Sequence, residues 1–548
     1  MGLFSKLKGK AEQQVQDRTQ HVLGRPSATD DGNAMTSLDG GAAARPFGFV
    51  TAKGSELYMD NKPFKFVRQA ISSINLNAPE LLDGDVNGEF EVDHTFKSLS
   101  WPASFATSVT RTYTLRIKSK NIGRGHINGW SNEWTDWMWD EGRLKEFDLV
   151  LAKANEHKVH LIIPLVNNGS VPDTNWVGDF YDLTVMRKGL SSYEESQRVD
   201  WWTDGEMIEA FKLIIDFLAN RVNTITGVKY SDDPAILAWE TGNEMNYRSM
   251  RPAPASWTLT IAKHLRSRMP NHLVMDGSFA RTDDIKSCYP KEVLDSPDVD
   301  IVSYHYYGDG DIKRVKKDVD LARKHNKVFV AGEFGFFSKP DDYAAFCSTL
   351  SAAGGAGALT WSLRPASDRG GFKTHGEDGG HWSYRTFQIP APMPVTITHV
   401  IMLDIPGTSD PLHHEFDHRE HSIVSYIRTW SFKINQQTVP KRWPAPSQPS
   451  PPFFCSQPPQ PPCICFKSSV WASTYDVVLV RQVSEGGERV EELGSKRVSD
   501  STKEGCLAID VSNEWNHARQ QQQQRHGLAL RGVGVDGQIG PQSDVLWF

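Results

Sequence analysis

The run AILAWETGNE, residues 235–244, decides the fold. It opens with five apolar residues, Ala235-Ile236-Leu237-Ala238-Trp239, directly behind the turn-forming Asp232-Asp233-Pro234. A short apolar run without alternation is the pattern of a strand covered on both faces, as in a parallel sheet. The run ends in Glu240, Asn243 and Glu244. Polar groups at the end of a buried strand are costly unless they are paired or used. In a (β/α)8 barrel the C-terminal strand ends are where the active site sits. A second run, KVFVAGEFG at 327–335, is another apolar strand and ends in Glu333. Two strand-end carboxyl groups suit glycoside hydrolysis, in which one carboxyl acts as acid and the other as nucleophile or base.

Working outward, strands are expected at 66–71, 108–113, 159–166, 235–240, 272–276, 300–305, 327–333 and 356–361. Helical periodicity separates several of them. One helix is expected over 142–157, with Leu144, Phe147, Leu151 and Ala154 on one face. Another is expected over 205–222, opened by a capping box in Thr203-Asp204-Gly205-Glu206. Further helices are expected at 257–268, 312–325 and 422–434. Strands alternating with helices give an α/β fold with a parallel sheet, and eight such units favour a (β/α)8 TIM barrel over an open doubly wound sheet. No Gly-rich phosphate loop follows an early strand, which also counts against a nucleotide-binding sheet. Residues 57–66 read as a hairpin around Asp60-Asn61 that caps the barrel bottom.

The domain expectation is a disordered polar tail at 1–46, a catalytic barrel at 47–437, a Pro-rich linker at 438–465 and a small β-sandwich at 466–548. Residues 389–418 read as an insertion without an assigned structure. The start of the chain lacks the apolar core of a secretory signal, and no stretch has the apolar length of a membrane span. The default location is therefore cytoplasmic, with secretion open if the true start lies upstream. Lys6 stands where a myristoylation signal needs Ser or Thr. Leu3, Phe4 and Leu7 among Lys6, Lys8 and Lys10 can form a short basic amphipathic helix, but a solvated tail is the reading adopted.

At 548 residues and a net charge of −7, nothing points to nucleic acid as a partner. Six cysteines in a chain this long are not a disulfide framework, and none has zinc-ligand spacing. The expectation is a monomer with no metal and no cofactor. Seventeen Trp and fourteen Tyr offer flat rings on which sugars stack, although most such rings are core. Trp134, Trp137 and Trp139 either line a cleft or pack an extra loop helix, and Trp201-Trp202 is equally open.

Candidate site residues follow from the strand ends. Glu244 as general acid calls for a raised pKa, and Glu333 as nucleophile should stay ionised. Arg111 and Tyr307 are placed to hold Glu333, while His305 either orients Tyr307 or contacts sugar. Asn243 can bond a hydroxyl beside the reacting carbon, Asn167 and Asn168 can bind sugar hydroxyls, and Trp361 can floor one sugar ring. Asn168-Gly169-Ser170 is formally a glycosylation sequon, expected unused at this place.

Taken together, SVTRTY around Arg111, PLVNN at Asn167-Asn168, RVNTITGVKYSDDPAILAWETGNEM at 221–245, VSYHYYG with His305 and Tyr307, VAGEFG with Glu333 and LTWSLRP with Trp361 resemble glycoside hydrolase family 5 of clan A. The resemblance is to its endo-1,4-β-mannanase-like branch. It implies a retaining enzyme on a (β/α)8 barrel, with Glu244 as acid/base and Glu333 as nucleophile. It further implies that Arg111, Asn167, Asn243, His305, Tyr307 and Trp361 bind substrate or hold the nucleophile. The substrate implied is β-mannan or a related β-1,4-linked glycan. Met245 departs from the Pro that often follows the acid, and VNNGSVPD lacks the aromatic that often follows the Asn pair. The C-terminal run LRGVGVDGQIGPQSDVLWF resembles a fibronectin type III-like module. Two enzyme alternatives on the same barrel are an exo-β-mannosidase and a β-glucanase. The alternative of another class is a non-catalytic carbohydrate-binding protein.

Overall fold

The computed structural model describes residues 47–59, 62–63, 73–76, 88–102, 104–105, 109–168, 177–245, 253–277, 289–308, 311–373, 376–377, 381–382, 384–385, 420–434, 437–454, 463–483, 490–498, 509–514, 516 and 525–547. The tail at 1–46, the strand expected at 66–71, the turn at Asp60-Asn61 and the insertion at 389–418 lie outside the described residues.

Eight parallel strands build the core: β1 Ser73–Leu76, β2 Val109–Arg111, β3 His160–Pro164, β4 Ile236–Glu240, β5 Leu273–Asp276, β6 Ile301–Tyr307, β7 Val328–Gly335 and β8 Gly357–Thr360. Each pairs with its neighbour in chain order from β2 to β8, and β8 then pairs with β1. β1 and β2 lie alongside each other and complete the ring. The fold is a (β/α)8 TIM barrel. The strand beside β8 begins at Ser73, later than the sequence pattern placed it. The other seven fall where expected.

The longer helices are α1 Gly88–Ser100, α2 Glu141–His157, α3 Phe180–Lys188, α4 Gly205–Asn220, α5 Ala255–Arg268, α6 Val315–Lys324, α7 Pro340–Ala353 and α8 Glu420–Ile434. One face of each strand looks into the barrel and the other looks at the helices. The inner layer contains Val109, Ile162, Leu237, Leu273, Ile301, Val328 and Leu359. Val50 and Leu57, from the antiparallel pair Val50–Lys53 and Glu56–Met59, join that layer and plug its lower end. The outer layer packs Leu161, Ile163, Ile236, Val302 and Phe329 against Leu151, Phe211, Ile215, Ile261 and Phe346 of the helices.

Two local expectations are corrected. The cap of α4 is Asp204, whose carboxylate accepts from Met207 N, and Thr203 instead donates to Asp200. The tryptophan-rich run after β2 is a hairpin, Ile127–Ser131 with Asp136–Trp139, and not a helix. Trp137 donates to the Ala210 carbonyl and Trp139 stacks on Phe217 at 3.8 Å, so both fasten the hairpin to α4.

Beyond the barrel, Thr474–Gln482, Val490–Val498, His526–Val533, Ile539–Gln542 and Leu546–Trp547 form an antiparallel sheet. Phe453–Phe454, Cys463–Cys465 and Ile509–Asp510 form a second. Both contribute to one apolar core that includes Ile464, Tyr475, Val477, Ile509 and Leu528. Trp471 carries this module onto the barrel, 6.0 Å from Phe105 between ring centres. Among the described residues no helix is long and apolar enough to cross a membrane.

The first half of the 221–245 run is a latch. Asp148 of α2 accepts from Arg221 Nε at 3.0 Å and Nη2 at 2.6 Å, from the Tyr230 hydroxyl at 2.7 Å and from the Thr224 hydroxyl at 2.7 Å. Asn223 adds a bond to the Asp148 carbonyl. Burial pushes the Asp148 carboxyl up, but the bonds from Arg221, Tyr230 and Thr224 outweigh it and hold the group below its ordinary range. Its stabilisation is therefore present above the ordinary carboxylate range and fades as pH falls through the depressed value. Asp148→Ala should destabilise the fold by about 3–5 kcal/mol at neutral pH, since it strands Arg221 and Tyr230. A denaturant midpoint unchanged from wild type would contradict this.

Candidate active site

The centre of the site is Arg111, fully buried at the end of β2. Its Nε donates to Glu240 Oε2 at 2.7 Å and its Nη2 to Glu240 Oε1 at 3.0 Å. Nη2 also donates to Asn243 Oδ1 at 2.7 Å, and Nη1 donates to Glu333 Oε1 at 2.8 Å. The planar fork thus fixes residues from β4, the β4 loop and β7 at once. A lysine has no second edge with which to do so. Asn243 passes the order on: its Nδ2 donates to Asn167 Oδ1 at 2.9 Å and to the Tyr113 hydroxyl at 3.2 Å.

Glu333 is bound on its other oxygen by the Tyr307 hydroxyl. His305 Nδ1 lies 2.9 Å from Glu244 Oε1 and 3.4 Å from Glu333 Oε2. A bulge in the β6–β7 register brings His305 level with Glu333. Gly332 leaves space for that ring, since a Cβ there would sit 2.9 Å from His305 Nε2. Trp361 sits just past β8, its ring edge-on to Tyr113 at 5.7 Å, with Val177, Tyr307 and Phe336 around it.

Glu244 adopts φ +50°, a left-handed conformation that costs a non-glycine residue energy. The backbone on each side is tied down. Asn243 N donates to Val166 O at 2.9 Å and Met245 N to Gly277 O at 3.1 Å. Asn168 Nδ2 donates to the Glu244 carbonyl at 3.2 Å. Gly277 must be glycine, because a Cβ would lie 1.6 Å from the Gly242 carbonyl oxygen.

Arg111, Asn167, Asn243, Glu244, His305, Tyr307, Glu333 and Trp361 therefore all meet at one end of the barrel. Sequence gave Tyr113 no part in the site, named Glu240 without a partner, and did not foresee that Asn168 holds the Glu244 backbone. Glu240 carried a signal, as a charged residue closing an otherwise apolar strand. Its use depends on Arg111, which lies on a different strand.

Burial pushes the Glu333 carboxyl up, His305 and Arg111 pull it down, Glu244 adds a push upward and the Tyr307 hydrogen bond opposes it. The net direction is upward, with Arg111 and Tyr307 both opposing the rise, as the expectation that they favour the ionised form requires. Arg111 itself is held firmly protonated: burial opposes its charge, but Glu240 and Glu333 more than compensate. One oxygen each of Glu244 and Glu333 and a ring nitrogen of His305 lie within 4.8 Å of one another. This trio is one of two groups among the described residues whose atoms converge closely enough to hold a metal ion. The other, Asp93, Glu156 and His157, is crossed by Lys97 and Lys153. Oxygens this close are compatible with a retaining displacement, for which a carboxyl separation of about 5–5.5 Å is usual.

Residues 135–337 match the family model described as GH family 5 beta-mannosidase-like. Over this span the chain is similar to glycoside hydrolase family 5. The span holds both Glu244 and Glu333, while Arg111 and Trp361 flank it. A putative mannan endo-1,4-beta-mannosidase 5 of Oryza sativa subsp. japonica is 27% identical over 261 residues, 45% of this chain and 46% of its own. Mannan endo-1,4-beta-mannosidase 2 of the same organism is 29% identical over 286 residues, 47% of this chain and 57% of its own. The chain thus spans about half the length of the curated relatives it matches. Among solved structures, an endo-1,4-beta-mannanase from Rhizomucor miehei aligns with 57% of this chain and 90% of its own, at 22% identity and a TM-score of 0.47.

Replacing Arg111 with Met should leave Glu240 and Glu333 buried together without their cation, at a cost of about 3–5 kcal/mol. The Glu333 carboxyl then rises further, so the cost is largest at neutral pH and shrinks as pH falls and the carboxyls take up protons. Denaturant melts at pH 7 and pH 4 check this. An equal loss at both would contradict it.

Proposed function

We propose that this chain is a retaining glycoside hydrolase acting on β-1,4-mannan within the polymer. The observation that carries the reading is the close pair Glu244 and Glu333 in unlike surroundings. Glu333 is buried and bonded by Arg111 and the Tyr307 hydroxyl, whereas the Glu244 side chain is 17% exposed and faces His305. The similarity to mannan endo-1,4-β-mannosidases supports mannan as substrate.

In this reading Glu333 is the nucleophile. Its carboxylate oxygen attacks the anomeric carbon while Glu244 gives its proton to the departing glycosidic oxygen. A glycosyl ester on Glu333 results. Glu244, now a carboxylate, takes a proton from water, whose oxygen displaces Glu333 from the same carbon, and configuration is retained. Arg111 and Tyr307 hold Glu333 at a fixed angle throughout, and His305 lies between the two carboxyls. Asn243 is oriented by Arg111 and Asn167 to meet a sugar hydroxyl beside the reacting carbon. Trp361, braced by Tyr113, offers its face to the ring being cleaved. The two-sheet C-terminal module is read as fibronectin type III-like, supported by its antiparallel build.

Reducing-sugar release from soluble galactomannan and from carboxymethyl cellulose tests the proposal. Wild type should cleave galactomannan, and Glu333→Ala should lose about 10³-fold or more of that rate. Cleavage of cellulose alone would keep the chemistry and replace the substrate. No cleavage of either by folded protein would overturn the proposal.

The raised position of Glu333 makes a second prediction. The nucleophile works ionised, so kcat/KM on mannan should fall as pH drops through a value above the ordinary glutamate 4.5. A pH–rate profile flat down to pH 4 would contradict this.

A further inference from the structure

The strand Val490–Val498 lies at one edge of the five-stranded sheet in the C-terminal module, paired with Thr474–Gln482. Among the described residues no strand covers its other edge. Most of its residues are exposed, and only Leu493 and Val498 are half-buried. An open edge presents a row of unpaired N–H and C=O groups, which folded proteins commonly guard with short strands, proline or repelling charge. On the far side of this sheet, Ile539–Gln542 and Leu546–Trp547 are both short, and the first contains Pro541, which has no N–H to offer. Val490–Val498 is nine residues long and contains no proline.

Its charges do not repel a copy of itself either. The strand reads VEELGSKRV, with Glu491 and Glu492 before Gly494 and Lys496 and Arg497 after it. The four charges cancel, and their sign reverses about the glycine. A second copy laid antiparallel, around a two-fold axis near Gly494, sets each acidic pair beside the basic pair of the other chain. A parallel copy in register would align like charges, which destabilises a sheet. The register shift opposite Leu479–Val480 falls at the centre of this pattern, so the acidic and basic halves are separate short segments, each facing the opposite half of the copy. The charged side chains are already held in place. Glu491 accepts from Arg481 Nε at 3.1 Å, Glu492 accepts from Arg531 Nη2 at 2.9 Å, and Arg497 Nε donates to Asp476 at 2.8 Å. Each keeps a wet side all the same: the Glu491 side chain is 49% exposed, Glu492 43% and Arg497 54%. Side chains ordered beforehand lose little freedom on association.

We propose that this edge is a dimer interface, at which two copies of the chain pair antiparallel through Val490–Val498 and join their sheets into one. The contact is isologous, so Glu491 and Glu492 of each copy face Lys496 and Arg497 of the other. The dimer departs from the monomer expected from the sequence, and it stands apart from the hydrolase reading, since no residue of the barrel takes part in it.

The test is sedimentation equilibrium of the full-length protein at low salt and up to about 100 µM, a range suited to the small, weak class of interface that one strand can make. The wild type should approach twice the chain mass. Glu491→Lys with Glu492→Lys should be monomeric, as should Lys496→Glu with Arg497→Glu, because each leaves the edge with charges of one sign. Mixing the two variants should restore a dimer, since an all-basic edge then meets an all-acidic one. Lys496 makes no ion pair among the described residues, and its Nζ reaches only the Asp510 carbonyl, at 3.3 Å, so Lys496→Glu alone reverses a charge with little disturbance of the sheet. It should raise Kd about tenfold, with two symmetric contacts each turned from attraction to repulsion. A wild type that stays monomeric overturns the proposal, and so does a dimer whose Kd Lys496→Glu leaves unchanged. A mixture that stays monomeric, although each double variant melts cooperatively, overturns it as well.

Discussion

One guanidinium in the barrel, that of Arg111, faces two carboxylates and an amide with no water between them. Its three nitrogens are all spent: two on Glu240, one of those shared with Asn243, and the third on Glu333. A buried charge set of this kind is stable only if every member is paired and hydrogen-bonded. The set here holds one positive against two negative charges, and Glu240 takes both the Nε and Nη2 edges. Glu333 receives the remaining nitrogen and relies on the Tyr307 hydroxyl and on His305 for the rest. Burial displaces its titration upward and the Glu244 charge adds to that, while His305, Arg111 and Tyr307 oppose it. The arrangement leaves Glu333 fixed in direction, which suits the nucleophilic role proposed for it.

The second carboxyl is held by other means. Glu244 sits in a left-handed backbone conformation, and the loop that carries it is bonded to strand ends on both sides. Such strain persists only where the surroundings over-determine it. β3 and β5 do this through Val166 and Gly277. The outcome is one carboxyl fixed by charge and one by backbone, with the histidine of β6 between them. Divided control of this kind lets the two groups differ in environment although they are close in space.

Much of this was legible in the sequence. Seven of the eight strands fall where the apolar runs put them, and the eight candidate site residues lie at the ends of those runs or just past them. What escaped had a tertiary cause. The strand Ser73–Leu76 is short and half polar, so no run of apolar residues marks it. Glu240 and Tyr113 matter through Arg111 and Asn243, and no local pattern reports a partner on another strand. Trp137 and Trp139 were open between cleft and packing, and contact with α4 decided for packing. The RVNTITGVKY half of the most telling motif serves the Asp148 latch and not the site. A motif can therefore mark a fold and a chemistry at once, with separate residues for each.

The central claim is that Glu333, oriented by Arg111, forms a covalent bond to sugar. Incubation with a 2-deoxy-2-fluoro-β-mannosyl fluoride, which forms the ester readily and releases it slowly, followed by proteolysis and peptide mass spectrometry, reads that bond directly. The account predicts one added sugar per chain, on the peptide that contains Glu333. A label on the Glu240 or Glu244 peptide would contradict it. Hydrolysis of mannan with the first product carrying inverted configuration and no labelled peptide would contradict it as well.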